Sequence, residues 1–153
     1  MSRLELKVAP DVVWLLVAAL MWLVSTVTPG LNIAAPAGVA VSVLAILAGA
    51  ALIVTARLAL DRSNTTWHPS EPHRTTRLVT DGPFRFSRNP TYLGLLLVLV
   101  GWSALLRSPG ALATAMSFAL YIQRFQTRPE ERVLSALLGD EYRDYAARVR
   151  RWL

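Results

Sequence analysis

The sequence predicts an all-α integral membrane protein with about four transmembrane helices, and two observations carry that prediction. The first is composition: 54% of the 153 residues are hydrophobic and the mean hydropathy is +0.40, too high for an ordinary soluble domain. The second is a series of uncharged apolar segments close to the length that crosses a hydrocarbon core of about 30 Å. The length of the chain fits a single domain, residues 1–153.

Four apolar segments are the expected membrane spans, and turn-forming residues separate them. They lie at about residues 12–28, 39–60, 91–106 and 111–125. The first ends at Pro29 and has no signal-peptidase site after it, so it is interpreted as a retained anchor. Small residues around Gly49 would let the second pack closely against a neighbour and permit a dimer without requiring one. Arg107 to Gly110 form a tight turn, so the last two segments should pair as an antiparallel hairpin.

A long polar loop is expected between the second and third spans, at residues 61–89. A loop of this length in a small domain is usually functional or disordered. Apolar residues such as Trp67 and Phe84 argue against disorder throughout. The loop also contains His68 and His73, but no cysteine exists in the chain and few acids lie near them, so no metal site is expected.

The polar tail, residues 126–153, is predicted to form two short amphipathic helices. Thr127 and Glu130 match a capping box that would start the first. Gly139 would end it, and Asp140 would cap the second. The second helix should lie on the membrane surface or beneath the bundle. Its expected apolar face consists of Tyr142, Tyr145, Val149 and Trp152.

The charge distribution indicates a membrane protein whose basic residues lie on one side. The net charge is +6, contributed by fifteen arginines and one lysine, and in a soluble chain it would suggest nucleic acid. Here the arginines cluster beside apolar segments, so anionic lipid headgroups explain them better and no nucleic-acid partner is expected. Loops 29–38 and 107–110 share only Arg107, which places both termini in the cytoplasm. The preference for arginine over lysine suggests a GC-rich bacterial genome, so the expected location is a bacterial inner membrane.

The start of the third span is a candidate anion site. Asn89 and Pro90 form a helix-start signal, with Asn89 expected to accept a hydrogen bond from an early backbone N–H. The free N–H groups and positive dipole end would lie beside Arg88 and would suit a carboxylate or phosphate. The alternative is a plain helix start with an arginine that extends to the interface.

Glu130 and Glu131 are candidate ligand contacts just past the fourth span. Glu130 has a local explanation as the acid of the capping box. Glu131 has none beyond an exposed ion pair with Arg128 or Arg132, which would contribute little, so Glu131 is the stronger candidate.

Two motifs resemble those of a known superfamily of membrane enzymes. Residues 78–94 read LVTDGPFRFSRNPTYLG, and the tail supplies Glu130 and Glu131, then LGDEY at 138–142 and RVRRW at 148–152. In this order, over residues 62–153, they resemble the isoprenylcysteine carboxyl methyltransferase and phospholipid methyltransferase superfamily, whose members use S-adenosylmethionine. Many members have histidine where this chain has Asn89, which cannot titrate, so a general base at that position is in doubt here.

The resemblance implies a cofactor site on the cytoplasmic side, with Arg88 and Glu131 as the residues closest to the chemistry. It assigns the methionine end of S-adenosylmethionine to the start of the third span, the amino group or ribose to the two glutamates, and the adenine to the preceding loop. The cofactor-binding residues it implies are Leu78, Val79, Arg88, Asn89, Tyr92, Leu93, Gly94, Glu130 and Glu131.

The acceptor is expected to be lipid-like or a small apolar molecule with a carboxylate, amine or thiol. Two other functions stay open on the sequence. One is an NADPH-dependent membrane enzyme similar to sterol reductases, whose sequences resemble the C-terminal region of this chain. The other is a membrane scaffold without activity.

Overall fold

A computed structural model describes residues 6, 8–28, 30, 35–63, 75 and 77–153, and every regular element in these residues is helical. His68, His73 and Trp67 lie outside the described residues, as does most of the loop that contains them. The helices are α1 (Pro10–Val27), α2 (Ala35–Arg62), a 3-10 helix (Gly82–Arg85), α3 (Pro90–Leu106), α4 (Pro109–Ile122), a π-helical turn (Gln123–Thr127), α5 (Arg128–Leu138) and α6 (Asp140–Arg148).

Two of these helices, α1 and α2, are long and apolar enough to cross a membrane by length and composition. Helix α2 contains the second expected span with a few more residues at each end. Helix α1 begins two residues before the first expected span and ends one residue short of it, at Val27. Only 22% of α1, and 17% of the apolar segment Gly38–Arg62 in α2, is buried inside the protein. The core helix of a soluble protein is mostly buried. Large apolar side chains such as Leu16 and Leu44 are exposed. Such a surface fits a lipid environment.

The four long helices pack in two close pairs. Helix α2 lies along α3, and α1 lies along α4. Gly49 and Gly94 meet at the α2–α3 contact, where a Cβ on Gly94 would lie 2.7 Å from the carbonyl oxygen of Gly49. The small residues predicted to allow close packing therefore do so. Helices α3 and α4 also contact each other, as expected of the predicted hairpin.

The polar elements gather at one end of this bundle. Gln126 in the π-helical turn after α4 donates through Nε2 to the carbonyl of Val8, just before α1, at 2.7 Å. At the opposite end, the hydroxyls of Thr28 and Ser108 lie 2.8 Å apart. Helix α1 is therefore antiparallel to α4, and the start of α1 lies beside the start of α5.

The predicted capping box is wrong because the chain does not leave the helical conformation at Thr127. Thr127 has helical φ and ψ of −57° and −49°, and its side chain caps nothing. The π-helical turn carries the helix directly from α4 into α5. Consequently Glu130 does not serve as the acid of a cap; it binds a residue of α3 instead.

The end of the tail also differs from the expectation. Gly139 does follow α5, with φ of +58°, but it is also the residue before α6, so Asp140 is the first helical residue and not the cap. Tyr142 and Tyr145 are buried as predicted, whereas α6 ends at Arg148, so Val149 and Trp152 do not share its face. Tyr145 donates to the carbonyl of Phe84 at 2.8 Å, which places α6 against the 3-10 helix.

Candidate active site

Four segments meet where the two motifs come together. They are the residues before α3, the first turn of α3, the first turn of α5 and the residues that follow α6. Pro90 begins α3 as predicted, and Pro129 lies in the first turn of α5. Gly139 and the extended residue Val149 redirect the chain after each tail helix, so the C-terminal residues return to the start of α3.

A glutamate held by two arginines forms the centre of the site. Arg151 binds Glu131 with both ends of its guanidinium: Nε lies 3.0 Å from Oε1 and Nη2 lies 2.6 Å from Oε2. Arg88 makes one ion pair with the same carboxylate, from Nη1 to Oε1 at 3.2 Å. The side chains of Arg88 and Glu131 are each only 14% exposed, so solvent screens this pair less than a surface pair.

The arginines outnumber the carboxylate, and one of their donors has no partner. Nε of Arg88 is buried and has no hydrogen-bond acceptor in the described part of the chain. A buried donor in this state costs free energy, and the cost is recovered if a ligand oxygen binds there. The hydrogen bond to Glu131 raises the pKa of Arg151, so its guanidinium stays charged. The cluster therefore suits an anionic ligand group.

Backbone hydrogen bonds fix the C-terminal residues to the segment before α3. The amide of Arg88 donates to the carbonyl of Arg150 at 3.0 Å. The carbonyl of Arg151 accepts from Asn89 Nδ2 at 3.0 Å and from Ser87 Oγ at 3.3 Å. Asn89 was predicted to cap α3 by accepting a hydrogen bond, and this is wrong: its side chain caps nothing and is instead a donor to the tail.

A second glutamate connects α5 to α3. The hydroxyl of Tyr92 donates a hydrogen bond to Oε1 of Glu130. Burial raises the pKa of Glu130 to about 7, the charge of Glu131 adds to this rise, and the hydrogen bond from Tyr92 opposes it. Close to neutral pH, Glu130 thus exists in both protonation states.

Two tyrosines of α6 lie beside the arginine cluster. Burial raises the pKa of Tyr142 to about 12, and the charge of Glu131 acts in the same direction while Arg88 opposes it. Burial also raises the pKa of Tyr145. Both phenols are therefore neutral donors at physiological pH.

The structure brings Arg88, Asn89, Tyr92, Glu130 and Glu131 together, although they come from segments about 40 residues apart in the chain. The other predicted site residues take no part in the ion pairs and side-chain hydrogen bonds of this cluster. Leu78 and Val79 lie in the segment before the 3-10 helix, with Val79 buried, and Leu93 is half-buried in α3. Gly94 faces α2, where it packs against Gly49.

Sequence reasoning assigned no site role to Arg151 or Ser87. Both fall inside the motifs, but nothing in the tail distinguishes Arg151 from its basic neighbours Arg148 and Arg150. The available signal was Glu131 itself, an acid just past the fourth expected span whose local explanation was only an exposed ion pair with Arg128 or Arg132. A more distant arginine was therefore a candidate partner.

Sequence comparisons relate this chain to known methyltransferases. A family model described as phospholipid methyltransferase matches residues 37–141. Protein-S-isoprenylcysteine O-methyltransferase B of Arabidopsis thaliana is 33% identical over 107 residues, which are 68% of this chain and 53% of the plant protein. The mouse protein-S-isoprenylcysteine O-methyltransferase is 35% identical over 83 residues, 52% of this chain and 28% of the mouse protein.

A bacterial relative is matched along almost its whole length. An uncharacterised protein of Haemophilus influenzae is 45% identical over 62 residues, which are 40% of this chain and 98% of that protein. The chain spans about half the length of the plant relative and about a quarter of the mouse one. No solved structure matches the chain.

Proposed function

The chain belongs to the phospholipid methyltransferase family, and from that premise we propose that it transfers a methyl group from S-adenosylmethionine to a lipid-like acceptor at the membrane face. The observation that carries this proposal is the pair of arginines on Glu131, with the buried and unpartnered Nε of Arg88. A surplus guanidinium beside the start of a helix matches the carboxylate at the methionine end of this cofactor.

The residues of the cluster fit the polar groups of S-adenosylmethionine. Arg88 would bind its carboxylate, and Glu131 and Glu130 would meet its amino group or ribose hydroxyls. The first turn of α3, from Tyr92 to Gly94, would lie along the methionine end, and Leu78 and Val79 would contact the adenine. When bound, the cofactor supplies a sulfonium methyl group that is already activated toward a nucleophile.

The protein then contributes placement and exclusion of water. Alignment of the methyl group with the acceptor converts a bimolecular reaction into one within a single complex, which is the main catalytic effect asked of the protein. The tail is hydrogen-bonded to the residues that start α3 and would restrict water there. A carboxylate acceptor needs no base, whereas an amine or thiol must lose a proton.

The proposal includes four membrane spans, with α3 and α4 as the third and the fourth. Helix α3 has 17 residues, or about 26 Å at 1.5 Å per residue. Helix α4 has 14 residues and continues through the 5-residue π-helical turn, which brings it near the same length. The site would then lie at the cytoplasmic membrane face with both termini, and an apolar acceptor tail would enter from the lipid between helices.

Calorimetric titration of the full chain in detergent with S-adenosylhomocysteine tests the proposal. We expect micromolar binding by the wild type and loss of at least tenfold in affinity in Glu131→Ala, since charged hydrogen bonds contribute about 1.5–3 kcal/mol each. Glu141→Ala is the matched control, because Glu141 is an exposed acid of α6. Binding of NADPH in place of the thioether would favour the reductase. Absence of binding by either compound would favour a scaffold.

A further inference from the structure

Arg151 and Arg88 bind the same carboxylate in different ways. Arg151 occupies both oxygens of Glu131, at 3.0 and 2.6 Å. Arg88 reaches only Oε1, at 3.2 Å, an oxygen that already accepts from Arg151. The two-point contact is the stronger geometry, because two parallel N–H donors match the two oxygens of a carboxylate. Arg151 is therefore the main partner of Glu131.

We propose that Arg151 is a positioning residue for the cofactor site: by occupying both oxygens of Glu131, it limits Arg88 to one contact with that carboxylate and leaves the Nε of Arg88 to bind the carboxylate of the ligand. This role rests on the function proposed above. Without Arg151, Glu131 would turn both oxygens toward Arg88 and neutralise it. With Arg151, the group of three side chains carries one surplus positive charge, and the buried Nε of Arg88 stays available.

Contacts other than those of the Arg151 guanidinium hold the C-terminal residues in place. The carbonyl of Arg151 accepts from Asn89 and Ser87, and the carbonyl of Arg150 accepts from the amide of Arg88. The indole of Trp152 donates to Gln123 at 3.2 Å. Replacement of the Arg151 side chain should consequently leave the tail attached. A purely structural role for this side chain and a positioning role thus predict different results.

Two nucleosides separate these roles in calorimetric titrations of the full chain. S-adenosylhomocysteine has the carboxylate, whereas 5′-methylthioadenosine has the same adenosine and thioether but no amino-acid end. We expect Arg151→Ala to weaken binding of S-adenosylhomocysteine about tenfold or more and to leave binding of 5′-methylthioadenosine within twofold of wild type. Arg151→Lys keeps the charge without the two-point contact and should restore part of the affinity.

Arg150→Ala is the matched control, because it removes the same charge from the adjacent, exposed side chain and retains its backbone contact. It should leave both affinities unchanged. In an Arg88→Ala background, Arg151→Ala should cause no further loss, since Arg151 acts through Arg88.

Three outcomes would overturn the proposal. Equal loss of both nucleosides in Arg151→Ala would show a structural role. Equal effects of Arg151→Ala and Arg150→Ala would show only a general effect of charge. Additive losses in the double variant would show that Arg151 acts independently of Arg88. Failure of the wild type to bind either nucleoside would instead remove the proposed function, together with the role that rests on it.

Discussion

Tyr92 in the first turn of α3 donates a hydrogen bond to Glu130 in the first turn of α5, 38 residues further along the chain. The bond joins a helix of the bundle to the polar tail. Glu130 is available for this bond because the π-helical turn continues α4 into α5, so Thr127 and Glu130 form no cap.

Stability should fall as the pH rises through the titration range of Glu130. Burial raises its pKa from 4.5 to about 7, so the folded protein binds more protons than the unfolded chain between these values. The free energy of unfolding therefore decreases from about pH 4.5 to about pH 7 and stays lower above it. The loss is at most about 3 kcal/mol. Thermal unfolding in detergent at pH 5 and pH 8 measures it.

Glu130→Gln removes this titration and is the variant to compare. The difference in unfolding midpoint between pH 5 and pH 8 should be smaller in Glu130→Gln than in the wild type. Glu141→Gln, which changes an exposed acid, should keep the wild-type difference. If Glu130→Gln and wild type respond equally to pH, Glu130 does not titrate with a raised pKa.

The all-α class, the start of α3 and the end of α5 could be predicted from the sequence because apolar runs, Pro90 and Gly139 are local signals. Arg88 and Glu131 could be named as candidates for a similar reason, since each is a charge beside an apolar segment. The partner of Glu131 could not be predicted, because the choice among the tail arginines depends on where the chain turns after α6. The cap at Thr127 was mispredicted because a π-helical turn leaves no composition signal as clear as a proline or glycine.

The contact between α2 and α3 should tolerate no side chain at Gly49 or Gly94. A Cβ on Gly49 would lie 2.6 Å from the carbonyl oxygen of Gly94, and a Cβ on Gly94 would lie 2.7 Å from that of Gly49. Gly49→Ala and Gly94→Ala should each lower the free energy of unfolding by about 1–3 kcal/mol, since the backbones must separate. Gly30→Ala is the control, because its nearest contact would be at 3.7 Å.

The same pair of variants tests whether Gly94 contacts the cofactor. If Gly94 only packs against α2, both alanine variants should affect binding of S-adenosylhomocysteine to the same extent. A loss of affinity confined to Gly94→Ala would assign the backbone of Gly94 to the cofactor site.

Asn89 should act as a support for the tail and not as a cap or a base. Its Nδ2 donates to the carbonyl of Arg151, and the residue is 8% exposed. Asn89→Ala should lower the free energy of unfolding by about 1 kcal/mol through the lost hydrogen bond. Asn89→Asp should cost more, because a buried carboxylate would face a carbonyl oxygen. Denaturant unfolding of both variants measures the order, and a more stable Asn89→Asp would contradict this role.

The π-helical turn should hold one residue more than an α-helix would need between α4 and α5. A π-helical residue advances the side chains by less than the about 100° of an α-helical residue, so five π-helical residues turn the chain about as far as four α-helical ones. Deletion of one residue from Gln123–Thr127 should therefore convert the turn to α-helix and leave the direction of Glu130 and Glu131 unchanged. Arg124 is the residue to delete, because it is exposed. The deletion should keep both the helical content and the pairing of Glu131 with Arg151. Circular dichroism and titration with S-adenosylhomocysteine measure the two effects, with Arg124→Ala as the control for loss of the side chain. A loss of affinity confined to the deletion variant would show that the π-helical turn itself is needed to orient the glutamates.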